Sequence, residues 1–202
     1  MTKRIAILGA ESTGKSDLIA ALLLLFAAHR AESVVAVPEV LRQFCGDHGR
    51  APFENEQRGI LDQQIAIEQS LIEKTAFEPS TAKQFALAAL PKPPDISLSD
   101  CAPITTAIYS EMYFNDSSLI EVASSHHKKY QLSLVLVPDL GWHADPLPFM
   151  RDGPDAQMEF HRRLLAWFQL TQMPYQLIAG DGQLRTQRAL DAMIQLYARG
   201  PA

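Results

Sequence analysis

The sequence is short of cysteine, of long apolar runs and of net positive charge, and each shortage excludes a class of protein. Only Cys45 and Cys101 are present among 202 residues, so neither a disulfide framework nor a C-x-x-C metal or redox site is expected. The longest apolar run, residues 18–28, is too short to span a bilayer. The N-terminal apolar run stops at Gly9, which argues against a signal peptide. These observations favour a cytoplasmic protein.

Basic residues number 18 against 23 acidic ones, for a formal net charge of -5. Binding to a nucleic-acid backbone or an anionic membrane rewards a basic surface, so neither partner is expected. The six histidines lack the spacing of a zinc site, and no G-x-S-x-G nucleophile motif occurs. The run of residues 126–129, His-His-Lys-Lys, is interpreted as a solvated helix end.

Short apolar runs alternate with longer segments of helical periodicity, which is typical of an α/β fold with a parallel sheet covered on both faces. We expect a single domain over residues 1–202, with its site beyond the carboxyl ends of the strands. Strands are predicted at 5–8, 34–37, 96–100, 132–137 and 175–178. Helices are predicted at 15–29, 53–77, 105–114, 118–130, 155–170 and 184–197. Residues 79–95, rich in proline, are predicted to be a connector, and 141–154 a loop.

One motif is specific without any context. Residues 9–16 match G-x-x-x-x-G-K-[ST] and follow a predicted strand directly, at the start of a predicted helix. In such a loop, backbone N–H groups hold phosphates, Lys15 reaches the terminal ones and Ser16 binds Mg²⁺. ATP with Mg²⁺ is therefore the expected ligand pair. The predicted nucleotide-binding residues of the loop are Gly9, Ala10, Glu11, Ser12, Thr13, Gly14, Lys15 and Ser16.

Carboxylates follow two of the predicted strands. Asp100 ends the third strand and is a candidate to hold the Mg²⁺ through a water; the alternative is a cap for the helix near Ala102 or Pro103. Glu39 follows the second strand and can accept the proton of an attacking hydroxyl, with Arg42 on the same helical face. The alternative for Glu39 and Arg42 is an exposed ion pair. Glu39, Arg42 and Asp100 are the predicted acceptor-binding residues.

Arginines are candidates for the remaining charge stabilisation. Arg151 lies in a segment, about 139–154, that we interpret as a mobile lid, where a cation can cover the transferring phosphoryl group. Arg162 and Arg163 compete for that role, although a solvated helix face suits them better. Arg185 is predicted to border the adenine or ribose, and a surface arginine is the alternative.

Several motifs together resemble the ribosylnicotinamide-kinase-like AAA-type P-loop family, which includes the kinase domain of a bacterial regulator of NAD biosynthesis. They are residues 9–16, Pro-Glu-Val-Leu-Arg at 38–42, Ser-Asp-Cys at 99–101 followed by two threonines at 105–106, and Trp-His-Ala-Asp at 142–145 before Arg-Asp-Gly at 151–153. Relatives often carry Asp-Thr-Asp where this chain has Asp-Cys-Ala, and their lid arginine comes three positions earlier.

This resemblance implies a P-loop NTPase three-layer sandwich with a mostly parallel five-stranded sheet, similar to the nucleoside and nucleotide kinases. It also implies ATP-dependent phosphorylation of a nucleoside-like small molecule, with nicotinamide riboside as the best-known acceptor. In this hypothesis Lys15, Glu39 and Arg151 are the catalytic residues. The rival hypothesis is a regulatory NTPase whose nucleotide state controls a protein partner.

Overall fold

A computed structural model describes residues 1–73, 93–143 and 152–198 of the chain, without the side chains of residues 197 and 198. Its described strands form one parallel sheet in the order β2-β3-β1-β4-β5. The strands are β1 (Lys3–Leu8), β2 (Val34–Val37), β3 (Ile96–Asp100), β4 (Leu132–Leu136) and β5 (Gln176–Ile178). The α/β sheet expected from the alternating runs is confirmed, and all five described strands are parallel.

Seven helices lie in the described part of the chain. They are α1 (Lys15–His29), α2 (Val40–His48), α3 (Glu54–Glu73), α4 (Pro103–Phe114), α5 (Ile120–His127), α6 (Pro154–Thr171) and α7 (Gly182–Ala198). Most begin and end within a few residues of the predicted bounds. The predicted helix over 118–130 is shorter at both ends, and α2 had no predicted bounds. None of the helices in these ranges is long and apolar enough to cross a membrane.

The central strand β1 shows why the molecule has three layers. Alternate side chains of a strand face opposite sides of the sheet. Ile5 and Ile7 pack with α1 and α7 on one side, whereas Ala6 and Leu8 pack with α4 and α6 on the other. All four side chains are fully buried, so the continuous apolar run reflects a strand covered on both faces.

The histidine pair at the end of α5 is not solvated, and the sequence-based interpretation of residues 126–129 was wrong there. His126 and His127 are 4% and 3% exposed. His126 Nε2 donates to Glu68 Oε2 at 2.8 Å, and His127 Nε2 lies 2.8 Å from Ser133 Oγ. Burial and the neighbouring His126 lower the pKa of His127 to about 3, so His127 is neutral at physiological pH. Only Lys128 and Lys129 are exposed.

Some expectations fall outside the described residues. They include the predicted helix beyond Glu73, most of the proline-rich connector, the middle of the expected lid and Arg151 itself. The lid arginine therefore stays a prediction from sequence.

Candidate functional site

The loop between β1 and α1 has the backbone of a phosphate cradle. Gly14 adopts a left-handed conformation with φ 76° immediately before α1. A Cβ at Gly9 would lie 2.8 Å from Thr13 Oγ1 and 3.2 Å from the carbonyl oxygen of Leu136. Glycine is thus required at both ends of the loop, for sterics at the first position and for backbone conformation at the second. The loop expected from the sequence is therefore present between β1 and α1.

The Lys15 ammonium group is folded back over this loop. Nζ donates to the carbonyl oxygens of Gly9 at 3.0 Å and Ala10 at 2.8 Å. Burial acts to lower the pKa of Lys15, but the neighbouring Cys101 and then the carboxylates of Glu39, Asp100 and Glu11 outweigh burial and raise the pKa. The group is therefore a permanent cation at the bottom of the site, as the binding of terminal phosphates requires.

Ser16 and Asp100 meet although they are 84 residues apart, because β1 and β3 are neighbouring strands. Ser16 Oγ donates to Asp100 Oδ2 at 2.9 Å. The other carboxylate oxygen, Oδ1, is buried and has no hydrogen-bond partner among the described residues. A hydroxyl beside an unsatisfied carboxylate oxygen suits Mg²⁺, which prefers oxygen ligands. The capping alternative for Asp100 is not observed, since α4 begins after Ala102 with no side-chain cap.

Glu39 is held at the start of α2, where it is the residue preceding the helix. The buried Gln64 of α3 fixes this turn, because its side chain accepts from Val40 N at 2.9 Å and donates to Pro38 O at 3.1 Å. Burial raises the pKa of the Glu39 carboxyl, while the Lys15 ammonium opposes that rise. A carboxyl tuned upward in this way is better matched to accepting a proton near neutral pH.

Cys101 adjoins both carboxylates. One ligand atom each from Glu39, Asp100 and Cys101 lie within 4.8 Å of one another, and the Cys101 thiol hydrogen-bonds to Glu39. The φ of Cys101 is 61°, an uncommon value for a residue other than glycine. The sheet thus ends in a turn whose backbone strain coincides with the site.

A cavity of about 1020 Å³ opens in front of these groups. One part is the phosphate loop, residues 11–17. The rest of the lining comes mainly from α2, α3 and α4 and the segments beside them, and it includes Arg42, Phe53, Gln57, Thr105 and Tyr113. Drug-sized ligands occupy pockets of roughly 300–1,000 Å³, so this cavity has room for a nucleotide's phosphates and a second small molecule. Glu39 and Arg42 both line the cavity, and their binding of an acceptor stays a prediction.

Two tyrosines of α4 connect the phosphate loop to the residues before α6. Tyr109 OH donates to Glu11 Oε2 at 2.9 Å, and Tyr113 OH donates to the Asp152 carboxylate. The two rings are stacked with centroids 5.9 Å apart. Gln157, in the first part of α6, donates to the Glu11 carbonyl oxygen at 2.7 Å. Glu11 is therefore held from two helices.

Arg185 is 3% exposed, so it is not the surface arginine that the sequence also allowed. Its guanidinium group donates to the carbonyl oxygens of Thr13, Gly180 and Val137 and to the Asp139 carboxylate. These bonds join the phosphate loop to the ends of β4 and β5. Contact between Arg185 and the adenine or ribose stays a prediction, since its described partners are all protein groups.

The other arginines and the lid are described in part. Arg162 and Arg163 both pair with Glu159 on α6, at 2.7 and 2.6 Å, in agreement with a helix-face role. At the near end of the expected lid, His143 N donates to Ser12 Oγ at 2.9 Å. The described start of the segment that we expect to form a lid thus contacts the phosphate loop.

Sequence reasoning missed three side chains that the helices bring to the cavity, Gln57 of α3 and Tyr109 and Tyr113 of α4, and it missed Gln64 of α3, which holds the turn before α2. On α3 these polar positions look like a solvated face, because glutamine is usually exposed. Both glutamines are 3% exposed. The spacing Tyr-x-x-x-Tyr on one helical face was a signal for the tyrosine pair, although such pairs are more often core.

Residues 4–185 match a family model described as an AAA domain, and no curated protein matches. The NadR protein in complex with NR superposes with a TM-score of 0.71 at 17% identity, covering 98% of this chain and 52% of that one. NadR in complex with NAD and AMP-PNP superposes with a TM-score of 0.66 at 17% identity, covering 98% of this chain and 50% of that one. Deoxyadenosine kinase from M.mycoides with bound dATP superposes with a TM-score of 0.56 at 9% identity, covering 95% of this chain and 99% of that one. The chain spans about half the length of the NadR chains. These likenesses show the P-loop nucleoside-kinase fold.

Proposed function

The chain belongs to the AAA-domain family of P-loop proteins, and from that premise we propose that it is an ATP-dependent small-molecule kinase. It transfers the γ-phosphoryl group to a hydroxyl of a nucleoside-like acceptor. The observation that carries the proposal is the position of Glu39, whose carboxyl lines the same cavity as the phosphate loop and Lys15. Burial raises the pKa of this carboxyl, and the cavity has room for a second small molecule beside the phosphates.

Each residue of the site has a separable role in this reaction. Backbone N–H groups of the loop bind the phosphates, and Lys15 neutralises charge on the terminal ones. Ser16 and Asp100 would hold Mg²⁺, which supplies electrostatic stabilisation of the phosphates when bound. Glu39 accepts the proton of the acceptor hydroxyl. The acceptor oxygen then forms its bond to the γ-phosphorus, and the bond to the β,γ-bridging oxygen breaks, with ADP leaving.

The acceptor's identity is the finer part of the proposal. Nicotinamide riboside is the first candidate, because the family resemblance implies it and NadR has been solved with NR. Arg42 lines the cavity together with Glu39, and in this proposal it orients the acceptor. Arg151, from its place in the sequence, would cover the transferring group.

A panel assay tests the proposal. Purified protein is incubated with MgATP and single nucleosides, including nicotinamide riboside, adenosine and deoxyadenosine, and ADP release is measured with mass detection of the phosphorylated product. We expect at least one nucleoside to stimulate ADP release and to gain one phosphoryl group. If hydrolysis is slow and indifferent to every acceptor, the kinase proposal fails and a regulatory NTPase is favoured instead.

A further inference from the structure

The turn that contains Glu39 is bonded on both sides to one side chain of α3. Gln64 is 3% exposed, and its amide accepts from Val40 N at 2.9 Å and donates to Pro38 O at 3.1 Å. These two atoms belong to the two peptide groups that flank Glu39. Because a peptide group is planar, bonds to both of them fix the direction in which the Glu39 side chain leaves the backbone.

Gln64 also supplies a bond that the residue before a helix commonly makes for itself. Val40 is the first residue of α2, and the first N–H groups of a helix have no carbonyl partner within it. The side chain of the preceding residue often accepts from such a group, but Glu39 makes no side-chain cap. Since Gln64 accepts from Val40 N instead, the Glu39 carboxyl is not used to close the helix and can serve the cavity that it lines.

The helix that presents Gln64 is itself bonded to another part of the core. Glu68, one turn further along α3, is completely buried. Its carboxylate lies 2.8 Å from His126 Nε2 and accepts from the Tyr130 hydroxyl. Both partners belong to α5 and the residues that follow it, so α3 is tied to α5 as well as to the turn before α2. A helix bonded in both directions presents the Gln64 amide at a defined place.

We propose that Gln64 is a positioning residue for phosphoryl transfer, which aims the Glu39 carboxyl at the acceptor hydroxyl by bonding to both peptide groups beside it. Gln64 is not among the described residues that line the cavity, so it acts through Glu39 and not through the ligand. This inference rests on the proposed kinase function. Acceptance of a proton requires the right geometry first, and a misplacement of about 1 Å can cost about a hundredfold in rate.

Gln64→Met tests the inference, because it keeps the length of the side chain and removes both hydrogen bonds. With a nucleoside that the wild type phosphorylates, kcat should fall at least about tenfold. The KM for ATP should stay within about twofold of the wild-type value, since the phosphate loop is a separate segment. Gln63→Met, which replaces the neighbouring half-buried glutamine, is the matched control and should keep the wild-type kcat. Circular dichroism and Tm check that each variant folds.

A double-mutant cycle separates positioning from a general contribution to stability. If Gln64 acts through the Glu39 carboxyl, then adding Gln64→Met to Glu39→Gln should lower kcat by less than about a further twofold. Gln64→Asn, whose shorter amide cannot bond to both peptide groups, replaces Gln64→Met if the latter misfolds.

Three results would overturn the inference and leave the kinase function standing: an unchanged kcat in a folded Gln64 variant, effects that multiply in the cycle, or failure of both Gln64 variants to fold, which would assign Gln64 to stability alone. If the wild type phosphorylates no nucleoside, the proposed function fails and this inference fails with it.

Discussion

The phosphate side and the acceptor side of the cavity are built differently. On the phosphate side, most groups of one continuous loop bond within the protein: Lys15 bonds to the loop carbonyls and Arg185 to Thr13, and Glu11 Oε1 is the exception among its described side-chain atoms. On the other wall of the cavity, side chains come from separate segments, and buried polar atoms of Gln57 and Thr105 have no partner among the described residues. The first side is held mainly by bonds within the protein, whereas we expect a ligand to pair with the open polar atoms of the second.

From this difference we expect one side of the cavity to set the affinity for nucleotide and the other to set the selectivity for the acceptor. Preorganised groups lose little entropy on binding, so the phosphate loop should bind nucleotide whatever acceptor is present. Unsatisfied buried groups penalise every ligand that fails to pair with them. The acceptor side is therefore expected to decide which molecule is phosphorylated. Four substitutions test this division of roles.

Lys15→Ala should have the largest effect. Removal of the only lysine of the phosphate loop takes away charge stabilisation in a water-poor site, and turnover should fall by at least about a thousandfold. Steady-state ADP release and titration with a fluorescent ATP analogue measure the loss. Lys129→Ala, which removes an exposed lysine after α5, is the control. Unchanged ATP affinity and activity in Lys15→Ala would overturn the phosphate-loop assignment.

Glu39→Gln should come second. It removes the proton acceptor and keeps the shape, so kcat should fall about a hundredfold with the KM for ATP nearly unchanged. Because burial raises the pKa of Glu39 above its usual 4.5, kcat/KM of the wild type should fall as pH is lowered through that raised pKa. The acid limb should be absent in Glu39→Gln and present in the exposed variant Glu54→Gln. A retained acid limb in Glu39→Gln would assign the base elsewhere.

Arg185→Met should weaken the binding of ATP and leave the acceptor KM unchanged. Without its guanidinium, Thr13 and Asp139 lose their shared partner, and we expect the free energy of unfolding to fall by about 3 kcal/mol. ATP should bind about tenfold more weakly, which is about 1.4 kcal/mol of lost preorganisation. Calorimetric Tm and ATP titration are the measurements, with the exposed Arg188→Met as control. A change in acceptor KM instead would break the division between the two sides.

Glu56→Gln should have the smallest effect of the four substitutions, and the effect should be limited to the acceptor KM. Glu56 pairs with Arg50 at 2.7 Å, and the Arg50 guanidinium lies 4.1 Å from the centre of the Phe53 ring. Loosening this half-exposed contact should raise acceptor KM about threefold without changing the KM for ATP. Glu54→Gln, in the same helical turn, is the control, and an altered KM for ATP would contradict the expectation.

The Arg50–Glu56 pair should also make the Tm depend on pH. The Arg50 hydrogen bond lowers the pKa of Glu56 to about 2. A carboxyl whose folded pKa lies below its unfolded value stabilises the fold above the unfolded pKa and loses that effect as pH falls toward the folded one. The Tm difference between wild type and Glu56→Gln should therefore be complete at pH 7 and shrink below pH 4.5.

The sequence predicts the phosphate side well and the acceptor side poorly, for a physical reason. Residues 9–16 encode the loop locally, because its glycines, lysine and serine act through one short stretch of backbone. Glu39 and Asp100 were predictable from their positions after strands, since parallel strands end at one edge. The burial of Gln57, Gln64 and His126 depends on which helices pack together, and no local pattern carries that information.

The hydrogen bond between Ser16 and Asp100 has a consequence for how the molecule folds. It joins residues 84 positions apart and becomes available only when β3 has paired with β1, a contact between distant parts of the chain. Such pairings form slowly, because the chain between the two strands must lose entropy in closing before any contact between the strands stabilises it. Competence to bind magnesium nucleotide should therefore appear late in refolding, so that a fluorescent ATP analogue would time the completion of the central sheet.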